Sequence, residues 1–337
     1  MPGPAPRRAL GPSAVSAIGF GCMNLSHGYG SPPPPAAAAA LLLRALDLGV
    51  DHFDTATLYG FGANEELVGR TLGPHRARFT LASKCGISGV KTDGGLRRVI
   101  DGRPQTLKQA CEQSLRRLQT DVIDLYYLHR WDKSVAIEES VGALAGLVRE
   151  GKIRAIGLSE VSAATLERAH AVHPIAAVQS EYSLCTRNPE IAVLETCRRI
   201  GAAFVAFSPL GRGFLAGALE DVTRLDPKDL RRAMPRFDAP NHGANLGLLE
   251  RYRALAIRAN CSPAQLALAW LLRRGEHVIP IPGTTRIEHL QENLAAADVE
   301  LTAELSGQLD ALINQRTMAG ARYNAAIQAE IDTENFP

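Results

Sequence analysis

The chain has 337 residues, of which 46% are hydrophobic and 21% charged, and its 37 basic and 35 acidic residues leave a formal net charge of +2. This composition is ordinary for a globular protein with a buried core, and it gives no support for binding to nucleic acid or to a membrane surface. Six scattered cysteines without a CxxC pair favour reduced thiols in a cytoplasmic protein over a disulfide framework or a zinc site. The sequence has neither a signal-peptide pattern nor an apolar run of membrane-spanning length.

Strands and helices are predicted to alternate along nearly the whole chain, after an irregular lead-in over residues 1–14. Short apolar runs predict strands at residues 15–23, 50–54, 79–84, 122–128, 153–158, 176–179, 202–207 and 277–281. Apolar stripes at helical spacing predict helices at residues 36–48, 64–72, 163–171, 189–200, 262–274 and 301–313. Further helices are predicted to begin at residue 106, near 245 and at 285, and another, between the strands at 122–128 and 153–158, is predicted to end near residue 151. Capping boxes are predicted at Thr106, Ser262 and Thr285.

Eight strands, each followed by a helix, predict an α/β fold with a single domain, a closed (β/α)8 TIM barrel. A doubly wound open sheet is the alternative. Gly19 and Gly21 could begin a dinucleotide fingerprint, but Asn24 stands at its sixth position and a proline-rich loop follows instead of a helix. Residues 211–243 are expected to form a long binding loop or lid after the seventh strand, and residues 320–337 a loose tail.

Ionisable residues stand where three consecutive predicted strands end. Asp54 ends the second strand, Lys84 the third and His129 the fourth, while Tyr59 follows Asp54 by five residues. Each residue alone also has another interpretation. Asp54 could be a cap and Lys84 its ion-pair partner at the rim, while His129 could be a core histidine and Tyr59 a buried aromatic. Together they predict chemistry at the carboxyl ends of the strands, because a lysine ammonium lowers the pKa of a neighbouring phenol, which can then donate a proton to an alkoxide.

These motifs resemble the catalytic tetrad of the aldo-keto reductases. The resemblance rests on Asp54-x4-Tyr59, on Lys84 in Leu-Ala-Ser-Lys-Cys and on His129 in Asp-Leu-Tyr-Tyr-Leu-His-Arg. Residues 151–159, 207–213 and 281–293 supply further matches, so the likeness covers nearly the whole chain in order. Residues 211–217 are most similar to the bacterial and plant branch that includes perakine-reductase-like and auxin-induced-protein-like members.

The resemblance implies reduction of an aldehyde or ketone by NADPH without a metal. Tyr59 would be the general acid, Lys84 would lower its pKa, Asp54 would hold Lys84, and His129 would orient the carbonyl. Ser159 and Gln179 would bind the nicotinamide carboxamide and Phe207 would stack on the ring. The residues predicted to bind the cofactor are Met23, Ser159, Gln179, Phe207, Ser208, Leu210, Gly211, Arg212, Gly283, Thr284, Thr285, Arg286, Glu292 and Asn293.

The loops after strands seven and eight are predicted to hold the phosphates, because barrels bind phosphate there beside a helix N-terminus. Arg286 and the Thr284 hydroxyl could hold a 2′-phosphate, which favours NADP over NAD; a capped helix with a surface arginine is the alternative. Two residues depart from the family pattern. Glu160 replaces an asparagine that contacts the carboxamide in many members, and His289 replaces an arginine over the adenine.

The substrate and the oligomeric state stay open, although Met23, Trp131, Tyr182 and the loop over 212–245 are expected to line the substrate pocket. Two other functions remain as alternatives. One is a cofactor-binding regulatory subunit that acts through a protein partner, and the other is a lyase that uses Lys84 as a Schiff base.

Overall fold

The computed structural model describes residues 6–26, 28–92, 95–217 and 219–336. Within these residues, eight parallel strands form one sheet in chain order. The strands are β1 (Phe20–Gly21), β2 (His52–Asp54), β3 (Thr80–Cys85), β4 (Ile123–Leu128), β5 (Ile153–Ser159), β6 (Ile175–Glu181), β7 (Ala203–Phe207) and β8 (Val278–Pro280). The amides of Gly19 and Gly21 donate to the carbonyls of Pro280 at 3.0 Å and Pro282 at 3.3 Å, so β1 meets β8 and closes the predicted barrel.

Helices pack around the barrel and, apart from the short last helix, bury apolar side chains. In chain order they are α1 (Pro35–Asp47), α2 (Ala63–Leu72), α3 (Pro104–Leu118), α4 (Ile137–Arg149), α5 (Ala163–Val172), α6 (Val193–Ile200), α7 (Ala239–Arg258), α8 (Pro263–Leu272), α9 (Ile287–Leu294), α10 (Ala303–Leu312) and α11 (Ala325–Ala329). The capping box at Ser262 is confirmed, since its hydroxyl accepts from the Gln265 amide. Side chains inside the barrel, such as Leu125 and Val205, form a smaller apolar core separate from the helix layer.

The lead-in is not irregular where the structure describes it. Arg7–Leu10 and Ser13–Ser16 form an antiparallel hairpin, and the single strand expected at 15–23 is divided between this hairpin and β1. Leu10 and Val15 belong to the apolar core inside the barrel. The hairpin therefore closes the end of the barrel opposite the carboxyl ends of the strands.

Several helix starts differ from the sequence expectation. Pro104 begins α3 two residues before Thr106, and Arg286 is the N-cap of α9 without a side-chain cap, so these two capping boxes are wrong. A proline at the first helical position and a turn made by Thr284 replace them. α7 begins at Ala239 instead of residue 245. An antiparallel hairpin, Ile87–Thr92 with Gly95–Ile100, was not predicted.

The tail is packed against the barrel instead of loose. Arg322 forms an ion pair with Glu160, and Tyr323 is buried. The Lys133 ammonium donates to the carbonyls of Ala329 and Ile331, both at 2.9 Å. These contacts bring the end of the chain to the same face as the carboxyl ends of the strands.

None of the described helices is long and apolar enough to cross a membrane. The described part of the chain also has no group of three or more His, Cys, Asp or Glu side chains arranged to hold a metal ion. All six cysteines are free thiols, and five of them are buried.

Candidate active site

A cavity of about 1180 Å³ opens at the carboxyl ends of the strands. Its lining includes residues at or near the carboxyl ends of seven of the eight strands, from Met23 after β1 to Gly283 after β8. The polar side chains that reach it from the strand ends are Asp54, Tyr59, His129, Ser159 and Gln179. Such convergence is what the parallel barrel produces, because every strand presents its carboxyl end at one face.

Lys84 is the centre of a buried polar group behind this cavity. Its ammonium forms an ion pair with Asp54, donates to the carbonyl of Thr55 at 2.9 Å and donates to the Tyr59 hydroxyl at 3.2 Å. Lys84 and Asp54 are each only 1% exposed. The amide of Gln179 donates to the second Asp54 oxygen at 2.8 Å, so the carboxylate is held from both sides.

A sharp turn after β2 places Tyr59 beside Lys84. Tyr59 opens a short 3-10 turn in which Gly60 and Gly62 have φ of 61° and 104°, a left-handed conformation that favours glycine. The turn leads directly into α2, where Asn64 is buried and donates to the Cys22 carbonyl at 2.9 Å. The loop that carries the phenol is thus fixed at both ends.

His129 approaches Tyr59 from the neighbouring side of the cavity. The two rings lie 6.1 Å apart between centroids and almost perpendicular, at 88°. The His129 amide donates to the Cys85 carbonyl at 2.9 Å, which extends the pairing of β3 with β4 up to this residue. A carbonyl group between the two rings would face both a phenol and an imidazole.

Burial and neighbouring charges shift the pKa values of Lys84 and Tyr59 in opposite directions. Burial by itself lowers the pKa of the Lys84 ammonium, but the Asp54 carboxylate and the Tyr59 phenol outweigh burial and raise that pKa above its ordinary value of 10.5. Burial raises the pKa of the Tyr59 phenol above its ordinary value of 10, and the Lys84 charge reduces this rise without cancelling it. The expected lowering of the phenol pKa towards neutrality is therefore wrong for the protein alone.

The residues predicted to bind a cofactor fall into two groups. Those that line the cavity are Met23, Ser159, Gln179, Phe207, Ser208, Leu210, Arg212, Gly283 and Thr285. Those that do not line it are Gly211, Thr284, Arg286, Glu292 and Asn293. The Thr284 hydroxyl accepts from the Arg286 amide at 3.1 Å, whereas the Arg286 side chain is 63% exposed, 3.5 Å from Glu288. The first group shares one cavity with Asp54, Tyr59 and His129, whereas the second lies outside its lining, with Gly211 after β7 and the other four residues after β8.

Glu160 is not among the residues that line the cavity. Its backbone has φ of 57°, and its carboxylate turns away from the cavity to pair with Arg322 and to accept from the Glu181 amide at 2.8 Å. Glu181 in turn pairs with Arg212 at 2.5 Å. This buried cluster ties the tail to the ends of β5 and β6, so the departure at Glu160 serves the packing of the tail. The other departure, His289, lines the cavity.

Two residues expected to line a substrate pocket do not reach it. Tyr182 is fully buried, and its hydroxyl donates to Glu190 at 2.7 Å, whereas the Trp131 indole donates to the Val135 carbonyl at 2.8 Å. The lining instead includes four residues that the sequence did not single out: Tyr29, Leu58, Arg130 and Tyr323. Of these four residues, only Arg130 could have been identified from the sequence, because it directly follows His129 at the end of a predicted strand.

Comparison with known proteins places the chain in a family. A model described as the aldo/keto reductase family matches residues 17–314. Probable aldo-keto reductase 1 of Glycine max is 44% identical over 310 residues, which cover 92% of this chain and 88% of that protein. The aldo-keto reductase yakc [NADP(+)] of Schizosaccharomyces pombe is 41% identical over 98% of this chain and 99% of its own length. The chain therefore belongs to the aldo/keto reductase family.

Solved structures of similar proteins agree with the fold. The glycerol dehydrogenase of Gluconobacter oxydans is 30% identical with a TM-score of 0.83 and covers 91% of this chain and 94% of its own. An aldo/keto reductase of Klebsiella pneumoniae, solved in complex with NADP and acetate, is 29% identical with a TM-score of 0.68, and 96% of each chain is covered. The predicted (β/α)8 architecture is thus shared across the family.

Proposed function

We propose that this aldo-keto reductase reduces an aldehyde or ketone with NADPH and that Tyr59 is the general acid. The observation that carries the proposal is the 3.2 Å contact between the Lys84 ammonium and the Tyr59 hydroxyl, at the edge of a cavity that His129 also lines. NADPH supplies a hydride to the carbonyl carbon when bound. The protein must then protonate the carbonyl oxygen and stabilise its developing negative charge.

The side chains divide this work. Tyr59 holds a proton at neutral pH, since the ordinary phenol pKa is already 10 and burial raises it further, and it gives that proton to the carbonyl oxygen. Lys84 donates to the phenol oxygen, so it stabilises the phenolate that remains. Asp54 holds the ammonium in place, and His129 is close enough to the phenol for both rings to face the same oxygen.

The cavity suits a dinucleotide in size and in chemistry. Its volume of about 1180 Å³ exceeds the roughly 300–1,000 Å³ of ordinary small-ligand pockets. Ser159 and Gln179 offer polar groups for a carboxamide, and Phe207 offers an aromatic face for a nicotinamide ring. Backbone amides after β7 and at the start of α9 would hold the phosphates. NADP appears in the names of the Schizosaccharomyces pombe relative and the Klebsiella pneumoniae complex, which supports NADPH as the cofactor.

The direct test is turnover by the purified protein. NADPH is mixed with a panel of aromatic and aliphatic aldehydes, and the loss of absorbance at the NADPH band is followed. We expect steady oxidation of NADPH with at least the more reactive aldehydes. Tight NADPH binding without turnover of any aldehyde would reject the reductase and favour a regulatory, cofactor-binding role.

A Schiff-base role for Lys84 is not favoured by the geometry. The ammonium already contacts Asp54, the Thr55 carbonyl and the Tyr59 hydroxyl, and Lys84 is not among the residues that line the cavity. Its raised pKa keeps it protonated, whereas attack on a carbonyl carbon needs a neutral amine.

The two directions of the reaction are expected to differ in pH dependence. Reduction needs the protonated phenol, so its kcat should not fall through loss of the Tyr59 proton until the pH exceeds the ordinary phenol value of 10. Oxidation of the product alcohol needs the phenolate and should accelerate as pH rises. Initial rates in both directions between about pH 6 and 10 check this. A reduction rate that falls tenfold per pH unit above 7, without loss of cofactor binding, would contradict the raised pKa.

Arg286→Ala is expected to raise the Kd for NADPH by about tenfold or more and to change the Kd for NADH little. The reason is that a guanidinium beside the 2′-phosphate makes charge-assisted hydrogen bonds that NADH lacks. Arg286 is 63% exposed, and its ion pair with Glu288 is a long one at 3.5 Å on the surface. Because this pair is weak, the Arg286 side chain can turn towards a phosphate at low cost. Titration of protein fluorescence with each cofactor measures both constants, and Arg316→Ala is the control for charge. Equal changes in the Kd for NADPH and the Kd for NADH would show that Arg286 does not bind the 2′-phosphate.

A further inference from the structure

Arg130 is a buried cation at the catalytic end of the cavity. It directly follows His129 in the bend after β4, and both residues line the cavity. Arg130 is 8% exposed. One of its terminal nitrogens donates to the His129 carbonyl at 2.7 Å and to the Ser159 hydroxyl at 3.3 Å, while its Nε has no hydrogen-bond partner among the described residues.

Arg130 differs from the other arginines around it in lacking a counter-charge. No described carboxylate lies within 4 Å of its guanidinium, which makes neutral contacts instead. The other arginines that line the cavity each pair with an acid: Arg212 with Glu181, Arg224 with Asp221 and Arg231 with Asp229. Two further buried arginines outside the cavity lining are also paired: Arg187 with Glu190 and Arg322 with Glu160.

Removing a guanidinium from water without a bound anion is energetically costly, and buried charges are therefore normally paired. Arg130 is in this situation, and a bound anion would offset the cost. Its two protein contacts use one nitrogen only, which leaves the other terminal nitrogen and the buried Nε without a protein acceptor among the described residues. This arrangement fits an anion that can accept from two N–H groups at once, which is a carboxylate or a phosphate.

The position of Arg130 distinguishes between these anions. The predicted phosphate contacts follow β7 and β8, whereas Arg130 follows β4 and sits next to the residue that would orient the substrate carbonyl. We propose that Arg130 binds a carboxylate carried by the substrate, so that the preferred substrates are oxo acids and aldehyde acids. This inference rests on the proposed carbonyl reduction and specifies its substrate class.

The test compares matched substrates that differ only in charge. The pairs are 4-carboxybenzaldehyde with methyl 4-formylbenzoate, and succinic semialdehyde with its methyl ester. We expect the wild-type kcat/KM to favour the carboxylate of at least one pair, and the ratio of acid to ester to fall by at least tenfold in Arg130→Leu. Arg130→Lys should recover part of the ratio, because a lysine keeps the charge but loses the bidentate geometry.

Controls separate this outcome from misfolding and from failure of the proposed function. Arg198→Leu removes the same charge from an exposed ion pair on α6, and its acid-to-ester ratio should stay at the wild-type value. Cofactor affinity and the thermal midpoint are measured for every variant. Wild-type turnover of esters without preference for acids, or a ratio unchanged in Arg130→Leu, would overturn the proposal while leaving the reductase intact. A rise in the NADPH Kd that accounts for the whole effect would assign Arg130 to the cofactor instead.

Discussion

Tyr59→Phe is expected to lower kcat for carbonyl reduction by about two to four orders of magnitude, with the Kd for NADPH little changed. The substitution removes one hydroxyl and keeps the aromatic ring that packs at 6.1 Å from His129. It therefore deletes the proton donor and the acceptor of the Lys84 hydrogen bond without opening a cavity. Single-turnover measurements of NADPH oxidation, with enzyme in excess over substrate, isolate this step from product release.

Tyr29→Phe is the matched control for this experiment. Tyr29 also lines the cavity, but it stacks with the Arg231 guanidinium at 4.7 Å and has no contact with Lys84 in the described structure. Losing its hydroxyl should reduce kcat far less than Tyr59→Phe does. Equal losses in the two variants, or full activity of Tyr59→Phe, would remove Tyr59 from the role of general acid.

The grouping of the candidate catalytic residues was predictable because it follows from regular structure. Asp54, Lys84 and His129 each stand at the end of an apolar run, and parallel strands in a barrel bring such ends to one face. The register then determines the contacts: Asp54 pairs with Ala82, two residues before Lys84 on the adjacent strand. Local pattern and global fold agree at these positions, so sequence reasoning was sufficient.

The surroundings of the site were less predictable because they depend on contacts between distant segments. Glu160 pairs with Arg322, 162 residues later, and no local pattern indicates that the tail returns to the barrel. The phenol pKa was misjudged for a related reason. The direction of the pKa shift depends on whether burial of Tyr59, which raises the pKa, outweighs the Lys84 charge, which lowers it. Side-chain packing determines that balance, and motif spacing does not reveal it.

Lys84→Met is expected to lower kcat by about two orders of magnitude or more and also to destabilise the fold. The catalytic loss follows because the phenolate loses the cation that stabilises it. The structural loss follows because Asp54, 1% exposed, would keep only the Gln179 amide as a side-chain partner among the described residues. Removing one partner of a buried ion pair typically costs 3–5 kcal/mol, so a drop of about that size in the free energy of unfolding is expected from urea titration.

The double variant Asp54→Asn with Lys84→Met separates these two effects. With both charges removed, the buried site is neutral, and a substantial part of the lost unfolding free energy should return. Activity should not return, because the phenolate still lacks its cation. Urea titration and single-turnover kinetics on the same preparations compare the two losses directly. If kcat recovers together with stability, Lys84 acts only by holding the fold; if stability recovers alone, its charge participates in the proton transfer from Tyr59.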